Sequence, residues 1–122
     1  MKKPKIKWLA KPQKRDYPAA QSYLSLVLQP TVARTWVEKL KHARVTDFAA
    51  KDIFRASTLP LLGKSDSHVE KYRQLIILRT PLSPLLLCRD KVHGNLIVAD
   101  GYHRLCAVYG FDEDAVIPCQ II

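Results

Sequence analysis

The chain has 122 residues, 48% of them hydrophobic and 25% charged, with 20 Lys and Arg against 11 Asp and Glu for a net charge of +9. That length supports a single hydrophobic core rather than two. No apolar run approaches the roughly 20 residues of a membrane span, and the basic start leads into no apolar signal-peptide core, so no membrane partner and a cytoplasmic location are expected.

Residues 1–15 hold Lys2, Lys3, Lys5, Lys7, Lys11, Lys14 and Arg15 and no acid, which leaves 13 basic and 11 acidic groups for the rest of the chain. Pro4 and Pro12 oppose helix here. A basic arm that also contains Trp8 suits nucleic acid, with cations on phosphates and the indole stacked on a base. A solvated or docked tail is the alternative, because the arm carries no known nucleic-acid reading motif.

The body, 16–122, divides into a helical hairpin over 16–43 and a core over 44–122. Asp16 is placed to cap a first helix, with Pro18 in its first turn and Ala20, Tyr23, Leu24 and Val27 on one stripe. Pro30 ends it. Thr31 opens a second helix with Ala33, Trp36, Val37 and Leu40 inward, and the pair is expected to cover a sheet. Val45–Phe48 reads as a short strand and 50–56 as a short helix. Ser67 and Glu70, three apart, form a capping box for a helix facing inward through Val69, Tyr72, Leu75 and Ile76. Pro81 and Pro84 bracket a turn into a strand at 85–88, and 90–95 with Gly94 is an exposed hairpin loop. Cys88, Cys106 and Cys119 lack metal or disulfide spacing and read as small buried hydrophobes, with no metal site expected.

The most concentrated chemistry lies at Asp100-Gly101-Tyr102-His103-Arg104, between the β-branched run 95–99 and the apolar run 105–109. Strand, sharp turn and helix are expected, with Asp100 as the N-cap and Gly101 permitting the turn. Tyr102, Leu105, Cys106 and Tyr109 share one stripe, and Gly110 marks the helix end. The free N–H groups of such a helix start attract anions, and His103 and Arg104 stand in its first turn. A phosphate site is built this way. The alternative is a solvent-facing helix start with Arg104 paired to a carboxylate elsewhere.

Together with the strand 83–88 and the final strand 115–122, this Gly-x-His-Arg turn resembles the ParB/sulfiredoxin superfamily, and its Asp-Gly-x-His-Arg wording is similar to the free serine kinase-like branch. The resemblance is strong over about a third of the chain. It implies an α+β fold, a small mixed sheet with packed helices preceded here by the helical hairpin. It also implies that Asp100, Gly101, His103 and Arg104 hold the phosphates of a nucleotide, ATP or CTP, with Mg2+. His68 and Lys71 stand where family members place further phosphate contacts, and Asp47 and Asp52 lie in the order where a general base would come. Tyr102 occupies the position of the sulfiredoxin cysteine, so sulfinic-acid reduction is not expected. Two functions follow as expectations. One is a nucleotide-binding domain, with phosphoryl transfer or nucleotide hydrolysis if it turns over. The other is a noncatalytic nucleic-acid or protein-binding module using the arm. A redox role for Cys106 or Cys119 ranks behind both.

Overall fold

A computed structural model describes residues 3–122; the expectation for Lys2 lies outside them. The elements run α1 (Asp16–Val27), α2 (Pro30–His42), β1 (Val45–Ala49), α3 (Ala50–Ser57), α4 (Ser67–Ile77), β2 (Leu85–Asp90), β3 (Asn95–Asp100), α5 (Tyr102–Phe111) and β4 (Val116–Ile121). This is an α+β fold with five helices and a four-stranded mixed sheet. The strand order is β1-β4-β2-β3, with β2 and β4 parallel and the other neighbours antiparallel.

Both faces of the sheet are covered, which explains why its strands read as continuous apolar runs rather than alternating ones. Leu85, Leu87, Val98, Ile117 and Cys119 pack into a core with residues of α3, α4 and α5. Leu86, Cys88 and Ala99, their neighbours in sequence, pack the opposite way against Ala20, Leu24, Ala33, Val37 and Leu40 of the α1/α2 hairpin. The period-2 alternation of a strand thus serves two cores instead of one core and water. Gln120 is the polar residue buried on the hairpin side of central strand β4. Its amide accepts from the Tyr17 hydroxyl at 2.6 Å and donates to the Ala43 carbonyl at 2.9 Å, so it stitches both ends of the hairpin to the sheet.

Local signals differ from the sequence expectation in five places. Asp16 is not a cap but the first helical residue, 5% exposed. The α1 stripe buries Ala20 and Leu24 only, leaving Tyr23 and Val27 43% and 52% exposed, because the helix touches the sheet along a narrow seam. Pro30, expected to break α1, also occupies the first turn of α2, where its missing N–H costs nothing. The capping box at Ser67 is replaced by Asp66, whose carboxylate accepts from the N–H groups of His68 and Val69 at 2.9 and 3.0 Å. Gly110, taken as the end of the last helix, lies inside it.

The basic segment is docked. Leu9 N donates to Leu82 O at 2.8 Å and Leu82 N to Lys7 O at 2.9 Å, a parallel bridge centred on Trp8. Ile6 and Trp8 pack against the core, while Lys3, Lys5 and Lys7 alternate outward. Trp8 is therefore a packing residue in this state, and its stacking on a base would require peeling the segment away.

All three cysteines are free and buried. Burial pushes the Cys88 and Cys119 thiols up to about 12 and raises Cys106 as well. Thiolate is the reactive form, so the native protein is expected to leave all three unmodified by a disulfide reagent at pH 8, with full labelling only in denaturant. Rapid labelling of native Cys106 would revive the redox reading.

Candidate functional site

The strand-turn-helix reading of the motif holds, with one exchange of roles. Gly101, not Asp100, is the N-cap of α5, at φ 108°, and no side chain caps the helix. Leu105 N is the first to find a backbone acceptor, Gly101 O at 2.9 Å. The N–H groups of Tyr102, His103 and Arg104 are thus the free donors of the helix start. The residues that carry two of them, Tyr102 and His103, line a cleft of about 330 Å³ walled by Tyr23 of α1, Leu59 of the segment after α3, and β3 from Val98 to Asp100. A smaller recess of about 70 Å³ adjoins it between Tyr72 and Arg104.

Asp100 does not cap because its carboxylate turns to Arg104, at 3.1 Å from Nη2. Arg104 is 6% exposed, not a solvent-facing cation. Its Nη2 also lies 3.6 Å from the buried Asp16 carboxylate and donates to the Pro84 carbonyl at 3.3 Å. Ser83, buried beside them, donates its hydroxyl to Asp16 and accepts from the Gln13 N–H. One guanidinium thus ties α1, the entry to β2 and the motif turn together. Two carboxylates share it, and burial outweighs its pull at Asp100, whose carboxyl is held above the ordinary 3.8 with Asp16 adding repulsion. Arg104 Nε is buried with no partner among the described residues.

The exposed cationic face of the turn is made by other residues. The His103 ring lies 5.0 Å from that of His68 on α4 and 5.4 Å from that of Tyr102. Asp66 sits beneath the pair; the N–H of Val69, then that of His68, holds its carboxyl below the ordinary range, and the charges of His103 and His68 add to this. Lys71 is exposed, with Nζ 5.5 Å from the ring of Tyr72, which walls the small recess. Tyr102 donates its hydroxyl to the Pro60 carbonyl and so pins the loop that precedes α4 across the start of α5.

Of the residues expected from sequence, Asp100, Gly101, His103, Arg104 and His68 come together, and Lys71 stands at the margin. The two proposed bases do not join them. Asp47 lies on β1, the sheet edge opposite β3. Asp52 lines a different cleft, beside Asn95 at the other end of β3 from Asp100. Five residue steps along the strand separate those ends, about 16 Å, out of reach for proton transfer at the turn. Asp16, Ser83, Asp66 and Tyr72 were not foreseen. An aspartate just before Ser67 was a legible cap, whereas nothing in sequence pairs Asp16 with a residue 88 positions later.

Among the described residues no group of three or more His, Cys, Asp or Glu is arranged to hold a metal ion. Asp100, the carboxylate next to the turn in sequence, is engaged by Arg104. Among the described residues no helix is long and apolar enough to cross a membrane. No family model, curated protein or solved structure matches the chain.

Proposed function

We propose that the chain is a nucleotide-binding domain that receives phosphate at the start of α5. One observation carries this reading: the first turn of α5 leaves three backbone N–H groups free, two of them on residues that line a cleft, Tyr102 and His103, and the His103 ring lies beside that of His68. A helix N-terminus offers oriented donors and partial positive charge to an anion, and imidazole N–H groups add further hydrogen bonds. Lys71 extends the cationic margin. Arg104 acts differently from a phosphate clamp: its positive charge is spent on Asp16 and Asp100, and it sets the shape of the turn from behind.

ATP and CTP are the candidate ligands, with magnesium carried by their phosphates rather than by a protein cluster. Binding without turnover is the form proposed, since Asp66, the carboxylate beside His103, is engaged as the cap of α4 by the N–H groups of His68 and Val69. Titration calorimetry of ATP and of CTP with Mg2+ tests this. Saturable binding is expected in the wild type, with a loss of about tenfold in His68→Ala/His103→Ala, the scale of one or two charge-assisted hydrogen bonds. Absence of binding for both nucleotides would overturn the proposal.

The nucleic-acid reading keeps one supporting feature, the outward row of Lys3, Lys5 and Lys7 on the docked segment. Deleting the segment would also strip Trp8 from the core, so the informative variant is Lys5→Gln/Lys7→Gln. A steep salt dependence of RNA or DNA binding that becomes shallower in this variant would favour it.

A further inference from the structure

A second cleft, of about 420 Å³, lies at the far end of the sheet between α3 and the β2–β3 hairpin. Its floor is apolar: Phe48, Ile53, Leu87, Leu96 and Ile121. It exists because α3 is only 8 residues long, while the β2–β3 hairpin runs past it and carries inward-facing side chains with no helix above them. Its size falls in the range of small-molecule sites.

The charges at its mouth are not balanced alike. Asp90 is taken by His93, at 2.7 Å, and Asp52 lies 3.9 Å from Arg55. Arg89 and Lys91, the two cations of the rim, are exposed and make no ion pair among the described residues. We infer that this cleft is a binding site for a small amphipathic monoanion, a carboxylate on an apolar chain, with the chain on the Leu96–Ile121 floor and the carboxylate between Arg89 and Lys91. The site is separate from the α5 turn and does not depend on nucleotide binding.

The probes are hexanoate, octanoate and decanoate, each below its micelle-forming concentration, with decanol as the uncharged control. Methyl NMR of the full chain reads Ile53, Leu96 and Ile121. Saturable shifts confined to these methyls are expected, with affinity rising about fourfold per added methylene while the chain still finds apolar floor. Arg89→Gln/Lys91→Gln should weaken decanoate about fivefold and leave decanol unchanged, as two exposed charge contacts would. Ala56 lies on the exposed face of α3 at the rim, so Ala56→Trp blocks the cleft without entering the core and should abolish both. Shifts spread over the whole protein, no dependence on chain length, or decanoate binding unchanged in Ala56→Trp would each overturn the assignment. An unchanged thermal midpoint in both variants shows that any loss is not unfolding.

Discussion

Arg104→Met is expected to cost about 3–5 kcal/mol of folding stability, the scale for removing one partner of a buried ion pair. The replacement fills nearly the same space, so the loss is electrostatic: Asp16 and Asp100, both largely out of water, would keep their charges with no cation between them. The thermal midpoint should fall by about 10–25 °C for a chain of this size. The deficit depends on pH in a definite direction. A carboxyl raised on folding makes the folded state the better proton binder, so its contribution to stability falls as pH climbs above the ordinary value. Burial already raises Asp100 with Arg104 opposing, and removing Arg104 raises it further. The gap between variant and wild type should therefore narrow as pH drops from 7 toward 4, where protonation relieves the buried charge. A gap independent of pH would mean that Arg104 contributes through packing alone. The same result explains why an Arg104→Ala variant is a poor probe of ligand binding: it removes the turn's support along with any contact.

Local pattern carried most of the architecture. Prolines and apolar spacing place nine elements in order although the expected caps are displaced, and the run 95–109 declares a strand, a turn and a helix without knowledge of anything distant. What stayed hidden is long-range. Whether an apolar strand serves one core or two depends on what covers its other face, so the shared burial of Leu86 and Cys88 with α1 and α2 could not be read from β2 itself. Arg104 follows the same logic. By helical spacing it falls off the apolar stripe and looks exposed, yet α5 is enclosed on nearly every side, and its only buried cation is reached by an aspartate from the first helix. The histidines were legible as chemistry but not as a pair, because their 5.0 Å ring separation is created by α4 packing against α5. Trp8, equally, reads as a stacking platform until its backbone is found bridged to Leu82.

Gly101→Ala should be about as damaging as the loss of Arg104, by about 2–6 kcal/mol, and for a reason that separates from charge. At φ 108° an L side chain is strained, at a cost of about 1–3 kcal/mol. A Cβ there would also stand 2.8 Å from Leu85 Cγ and 3.0 Å from Arg104 Nη2. Leu85 is fully buried in β2 and Arg104 is fixed by two carboxylates, so neither can yield without opening the core, and overpacking adds about 1–3 kcal/mol. Gly94 supplies the control. It too has positive φ, 64°, but its Cβ would meet open space in the hairpin loop. Gly94→Ala should therefore show the backbone cost alone, about 1 kcal/mol. The difference between denaturant melts of the two variants reads the steric part together with the extra backbone strain of φ 108° over φ 64°. Equal losses would mean that the close approach of the turn to Leu85 is unimportant. A much larger loss at Gly101 would establish that β2 is packed directly against the turn, so that the three free N–H groups of α5 are held in place by the sheet.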